Sequence, residues 1–248
     1  MSGHSKWATI RRKKGATDAA RGKVFTKCIR EITVAAKNGG GDPEANPSLR
    51  LAIDKAKSVN MPNDNIKRAI QKGTGEGGAD NYEEVFYEGY GPAGVAFLVK
   101  TLTDNRNRTV GEVRAALTKM GGSMAEPGAV NWQFDTKGVI LVPKENVSED
   151  KLLEIVLEAG AEDLDSEGEE YEIRSSQDAF TDVRDAIEKN GIEFLSAEIT
   201  QIAQNMIEVE GEKAESIIKL IDRIDDLDDV QSVYTNADID FSAIENGE

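Results

Sequence analysis

One change of hydrophobic period divides this chain. Up to Gly73 the apolar residues recur at i, i+3 and i+4; from Tyr82 they begin to alternate, and a glycine-rich stretch from Gly73 to Gly78 lies between. Helical stripes and half-buried strands bury their apolar surface in different ways, so the two parts need separate cores. The length of 248 residues leaves room for more than one domain, and 39% hydrophobic residues suffices for ordinary cores.

In the first part, Val24, Phe25, Cys28, Ile29, Ile32, Ala35 and Ala36 predict an amphipathic helix from about Lys23 to Lys37, stopped by Asn38-Gly39-Gly40-Gly41-Asp42-Pro43. Pro47 suits a first helical turn, and Leu49, Ala52, Ile53 and Ala56 continue a second stripe. A third helix begins near Pro62, buries Ile66, Ala69 and Ile70, and ends at Gly73. The triple glycine lacks a Gly-Lys-Ser/Thr ending and follows no strand, so it reads as a flexible connector rather than a phosphate loop. Gly73 to Gly78 reads as a linker.

The same division separates charge. Residues 1–75 carry 16 Lys and Arg against 6 Asp and Glu, whereas the other 173 residues carry 14 against 40. A basic arm on an acidic protein points to a polyanionic partner, nucleic acid being the commonest. Trp7 and Ile10 sit one helical turn apart among Lys6, Arg11, Arg12, Lys13 and Lys14. An aromatic ring there can stack on a base while its neighbours neutralise phosphates, or can pin the arm to the first helix. A solvated tail is the competing reading, but Lys55, Lys57, Lys67, Arg68 and Lys72 extend the positive surface onto predicted helices.

From Tyr82 to Glu88 the pattern alternates, and Glu88-Gly89-Tyr90-Gly91-Pro92-Ala93-Gly94 turns into the apolar run Val95 to Val99, predicting a hairpin. Val110, Val113, Leu117 and Met120 mark a helix with Thr109 and Glu112 as its capping box. Arg106 and Arg108 then lie at a helix N-terminus. Two readings stay open: an anion site, or pairing with acidic residues of a neighbouring domain.

Strand Val139 to Val142, a helix from Ser148 to Gly160, strands Ala161 to Ser166 and Tyr171 to Arg174, a helix capped by Ser175 and Asp178, and strand Phe194 to Ile202 follow. The order β-α-β-β-α-β is the ferredoxin-like pattern. Residues 138–202 hold 5 basic and 18 acidic side chains, which makes this module a poor phosphate binder. Met206 to Val209, a helix carrying Ile217, Leu220, Ile221 and Ile224, and a strand near Val230 to Tyr234 lack a core of their own. They complete the α+β segment before the module, which makes the module an insertion.

Catalysis finds little support. His4 is the one histidine and Cys28 the one cysteine, which argues against a His/Cys metal site and a His-dependent nucleophile, and Cys28 shares an apolar helix face as a buried thiol. The run Asp222, Asp225, Asp226, Asp228 and Asp229 lacks EF-hand spacing and its central glycine, and reads as a helix end kept in water. No apolar run reaches membrane-spanning length and no signal peptide is evident, so a cytoplasmic protein without cofactor, membrane or small-molecule substrate is expected.

Gly3-His4-Ser5-Lys6-Trp7, Arg21-Gly22-Lys23, Gly39-Gly40-Gly41-Asp42-Pro43, Asn46-Pro47, Asn60-Met61-Pro62, Tyr87-Glu88-Gly89-Tyr90-Gly91-Pro92 and Asp104-Asn105-Arg106-Asn107-Arg108-Thr109, in this order and spacing, resemble the YebC family. Ala20 stands where a lysine is common and Arg12 where a histidine is expected. The resemblance implies a three-domain cytoplasmic protein acting as a DNA-binding transcriptional regulator of promoters, with mitochondrial relatives that are translational activators and bacterial ones linked to ribosomes.

The expected fold is α+β in three domains: a three-helix domain over 23–78 behind a basic arm at 1–22, a discontinuous α+β domain over 79–137 plus 203–248, and an inserted acidic ferredoxin-like domain over 138–202. The expected activity is non-enzymatic binding of nucleic acid, either promoter DNA or ribosomal RNA on the ribosome; an acidic protein-interaction scaffold is the third class. Candidate contacts are His4, Lys6, Trp7, Arg11, Arg12, Lys13, Lys14, Arg21, Lys23, Lys27 and Arg30, with Arg106 and Arg108 as a second group.

Overall fold

The computed structural model describes residues 18–75 and 82–239. These divide into two compact units, one of residues 135–202 and one made by the residues before and after it. No helix among the described residues is long and apolar enough to cross a membrane.

The larger unit begins with helices α1 (Asp18–Gly39), α2 (Pro47–Ser58) and α3 (Asn63–Gly73). Helix α1 starts earlier than its apolar stripe, so Arg21 and Lys23 lie on it. Cys28, Ile32 and Ala36 of α1 meet Leu49, Ile53 and Ala56 of α2 and Ile66 and Ala69 of α3 in one small core. Each of the larger side chains contributes roughly 1.5–3 kcal/mol by leaving water. Burial also pushes the Cys28 thiol up to about 11, which keeps it protonated and unreactive.

The α1–α2 connection is pinned rather than flexible. The Asn46 side chain accepts the Leu49 N–H at 3.1 Å as the α2 cap, while its amide donates to Ala35 O and Gly40 O, both at 2.8 Å. A Cβ on Gly39 would lie 2.6 Å from the Asn46 Nδ2, so the glycine is required by close approach. Gly73 plays a similar part, since a Cβ there would sit 2.4 Å from the Thr33 carbonyl of α1.

The rest of this unit is built on a four-stranded antiparallel sheet. Strands β1 (Glu83–Tyr90) and β2 (Ala96–Thr103) form the expected hairpin, with Tyr90 opposite Ala96. Helix α4 (Arg106–Lys119) and the short β3 (Ser123–Met124) follow, and after the insertion come β8 (Ile207–Val209), α7 (Gly211–Asp225), β9 (Val230–Thr235) and β10 (Ala237–Ile239). The strand order is β3-β1-β2-β9, while β8 and β10 pair in parallel beside it. The first half of β2, Ala96 to Val99, is apolar throughout because both faces are covered. Phe97 and Val99 pack with Val113 and Leu117 of α4 and Ile217, Leu220 and Ile224 of α7; Ala96 and Leu98 face Val130, Phe134 and Tyr234. One core therefore joins segments separated by the whole insertion.

Glu88 holds the second face in place. Its carboxylate is buried and accepts the N–H groups of Gly128 at 2.7 Å, Val130 at 2.5 Å and Asn131 at 2.9 Å, fixing the loop that covers Leu98.

The smaller unit carries β4 (Phe134–Pro143), α5 (Glu149–Glu158), β5 (Ala161–Asp165), β6 (Glu170–Ser175), α6 (Phe180–Lys189) and β7 (Ser196–Ala203). The strand order β5-β6-β4-β7, with β6 antiparallel to both β4 and β5, is ferredoxin-like. Leu152, Val156, Phe180, Val183 and Ile187 are its fully buried helix residues. Strand β4 begins before the apolar Val139, and within its polar start the Thr136 hydroxyl receives a hydrogen bond from the Gln201 side-chain amide at 2.9 Å. The expected Ser175 cap does not form: Ser175 belongs to β6, and the turn before α6 is closed by Ser176 Oγ accepting the Ala179 N–H at 3.2 Å.

Candidate nucleic-acid interface

The N-terminus of α4 is capped by Asn105, whose side chain accepts the Arg108 N–H at 3.1 Å. Thr109 was the expected cap; it lies one turn inside the helix, where its hydroxyl is 2.7 Å from both Thr103 Oγ1 and Asp229 Oδ2. The capping box of Thr109 and Glu112 is thereby corrected, since Thr109 is buried against a carboxylate from the far end of the chain.

Asp229 is the centre of this cluster. It lies just before β9 and is 1% exposed. Its Oδ2 receives Arg108 Nη2 at 2.7 Å and Nε at 3.2 Å, a forked guanidinium contact, and its Oδ1 receives Arg30 Nη1 at 3.1 Å. Burial alone would push the Asp229 carboxyl up, but hydrogen bonds from Arg108 and Thr109 and the charges of Arg108 and Arg30 outweigh it and hold the group below its ordinary value. Arg108 also pairs with Asp104 at 2.8 Å, and the two carboxylates push its pKa further up.

Two more cations of α1 meet the same acidic run. Lys27 Nζ bonds Asp225 Oδ1 at 2.8 Å and the Asp225 carbonyl at 3.0 Å, with both side chains close to nine-tenths buried. Lys23 bonds Asp226 at 2.7 Å in the open, and Arg30 also donates to the Asp228 carbonyl. Carboxylates at a helix C-terminus oppose the helix dipole, and the last carbonyls of a helix lack partners within it. Helix α1 supplies what α7 is missing: ammonium and guanidinium groups that neutralise the aspartates and satisfy the carbonyls at its end. The reading of this run as a helix end kept in water holds for the exposed Asp222, Asp226 and Asp228 and is corrected for Asp225 and Asp229 by these contacts.

Of the candidate contacts, His4, Lys6, Trp7, Arg11, Arg12, Lys13 and Lys14 lie outside the described residues. Arg21 lies in the first turn of α1. Lys23, Lys27, Arg30 and Arg108 converge on the aspartates of 225–229, and Arg106 pairs with Glu83 in an exposed contact. Both arginines of the α4 turn thus pair with carboxylates, but with Glu83, Asp104 and Asp229 of their own domain rather than with those of a neighbouring one. Lys57, Lys67 and Arg68 on α2 and α3 are exposed, and no described ion pair engages them. Lys55 pairs with Glu31 at 2.7 Å, and Lys72 and Arg30 lie over the Tyr82 ring at 6.0 and 5.4 Å. Asp229 escaped the sequence reading as a hub. Its one signal was an acidic run in a chain whose other end is basic.

Residues 5–76 match the TACO1/YebC protein N-terminal domain and residues 82–237 match the TACO1/YebC second and third domain. A probable transcriptional regulatory protein of Geobacter sulfurreducens is 60% identical over 245 residues, covering 99% of both chains. Another so named, from Carboxydothermus hydrogenoformans, is 53% identical over 242 residues, which cover 96% of this chain and 99% of that one. The crystal structure of a conserved hypothetical protein from Aquifex aeolicus superposes with a TM-score of 0.82 at 46% identity, over 90% of this chain and 92% of that one.

Proposed function

This chain belongs to the TACO1/YebC family, and on that premise we propose that it is a non-enzymatic regulator that binds DNA through its N-terminal third. The observation that carries this reading is the charge division: 16 basic against 6 acidic side chains over residues 1–75 of a chain whose net charge is −16. The names of the relatives, probable transcriptional regulatory proteins, agree with it. Lys6, Arg11, Arg12, Lys13, Lys14 and Arg21 neutralise phosphates, Trp7 stacks or anchors, and Lys57, Lys67 and Arg68 widen the basic surface. Lys23, Lys27, Arg30, Arg106 and Arg108 reach phosphate by exchanging a carboxylate partner for it, so they contribute less than their charge suggests.

Fluorescence anisotropy of labelled duplex DNA across a salt series tests the proposal. A log–log slope near −0.9 per phosphate neutralised is expected, and deletion of residues 1–23 removes most of it. A flat salt response would sink the proposed mechanism. Ribosomal RNA in a parallel series separates the two nucleic acids: tighter binding to RNA than to DNA at equal salt makes the ribosome the site of action.

A further inference from the structure

The two edges of the four-stranded sheet are built differently. At the β9 edge the register with β2 shifts between Lys100 and Thr101, a bulge of the kind that discourages further pairing. The β1 edge is regular: eight consecutive pairs join β1 to β2 without a break. Strand β3 covers only its end, opposite Gly89 and Tyr90, with one further bond from the Ala125 N–H to Glu88 O at 2.8 Å. Beyond that point the loop leaves the edge to meet the Glu88 carboxylate.

In an antiparallel strand the N–H and C=O of a residue share one side, and the side alternates along the chain. Glu88 faces β3, so Phe86 and Glu84 face the same way, while Tyr87 and Val85 face β2. Among the described residues no strand pairs with β1 at Glu84 and Phe86. Phe86 borders a groove whose other walls are Val110, Arg114 and Thr118 of α4 and Met124, Glu126 and Pro127 of the following segment. Phe86 is 38% exposed at its rim, and no described ion pair engages the exposed Arg114. The carboxylates on β1 are already engaged, Glu83 with Arg106, Glu84 with Lys100 and Glu88 with three backbone N–H groups, and do little to repel a strand. Glu126 is the exposed carboxylate of the lining, so the acid of a bound strand is placed toward Arg114.

We infer that this edge is a β-augmentation site for an extended peptide segment of a partner protein, about five residues long, carrying an acidic side chain that meets Arg114. The pairing partner must offer N–H and C=O groups at a two-residue repeat, which an extended peptide does and a helix does not. Proline is excluded at the pairing positions, because it brings no N–H to the ladder. Alternate side chains fall against Val110 and Tyr87 on the α4 side and against Phe86 and Pro127 on the other. The positive charge of Arg114 selects the acid.

The test is an NMR titration of the full-length labelled protein with an acetylated, amidated Thr-Val-Asp-Val-Thr-Val peptide. Two controls accompany it: the same peptide with Lys for Asp, and a copy N-methylated on both edges. Saturable shifts centred on the Glu84 and Phe86 amides are expected, weaker by about fivefold for the lysine peptide and absent for the methylated one. Phe86→Pro removes an outward N–H without touching a β1–β2 bond, so that variant should melt close to the native temperature and lose peptide binding. Arg114→Glu should invert the preference between the two peptides. No saturable shift, shifts away from β1, or equal binding by the methylated peptide would each overturn the inference. None of these outcomes bears on DNA affinity, so this site and the proposed function fail separately.

Discussion

Helices α1 and α3 present cations with opposite fates. On α1, Lys23, Lys27 and Arg30 meet Asp226, Asp225 and Asp229, and the pairs made by Lys27 and Arg30 are largely buried. On α3, Lys67 and Arg68 stand exposed, as does Lys57 at the end of α2. Equal charge in the sequence therefore becomes unequal charge at the surface: the α1 cations hold the end of α7 in place, and the outer ones remain available to a polyanion.

The sharpest way to break this comparison is Asp229→Ala. Removing a buried carboxylate that holds Arg30 and Thr109 is expected to cost about 3 kcal/mol, read as a lower urea midpoint. A loss below about 0.5 kcal/mol would mean that the α1 pairing is incidental. Lys27→Gln comes next, at about 2 kcal/mol, because Asp225 and the α7 carbonyl are deprived of a charged donor in a site that excludes most water. Lys23→Gln, in the open pair with Asp226, should change stability by less than about 1 kcal/mol.

Acid sharpens the same point. The Asp229 carboxyl is held below its ordinary value, so its contribution is complete above the unfolded aspartate pKa and is lost as pH falls through the folded value. Urea midpoints of the native protein and of Asp229→Asn should therefore converge as pH falls below about 4, the ordinary aspartate value. A gap that stays constant down to the lowest pH would contradict the assigned shift. The smallest effect on stability, within about 0.5 kcal/mol, belongs to the combined Lys57→Gln, Lys67→Gln, Arg68→Gln protein. Its salt slope for DNA should nonetheless shrink by about 0.9 for each phosphate left without its cation. If Lys27→Gln shrinks the slope equally while leaving stability intact, the division of labour between the helices is wrong.

Much of this fold is legible in the sequence because burial leaves a local period. The stripe Cys28, Ile32, Ala36 reports one covered face and the unbroken apolar run Val95 to Val99 reports two, and the β-α-β-β-α-β order follows from such segments without knowledge of their partners. Ion pairing leaves no comparable record. Arg30 and Asp229 stand 199 positions apart, and nothing in the spacing of either selects the other among 46 carboxylates. Caps fall between the two cases. Asn46 is recognisable beside Pro47, but Thr109 resembles a cap as closely as Asn105 does, and only the buried Asp229 decides which residue opens α4. For the same reason Arg106 and Arg108 could be placed at a helix N-terminus from the sequence, while their carboxylate partners could not.

The strand ladder between β2 and β9 has a temporal consequence. Residues 96–103 are made more than a hundred residues before 230–235, and the whole 135–202 unit emerges between them. During synthesis the inserted unit can close its own sheet while β2, apolar on both faces, still lacks a neighbour on one side. Helix α1, made some two hundred residues before the aspartates of 225–229, likewise waits for them before Lys27 and Arg30 find their partners. The last fifth of the polypeptide is thus the closing piece for the first half, and a truncation there leaves the earliest-made surfaces open.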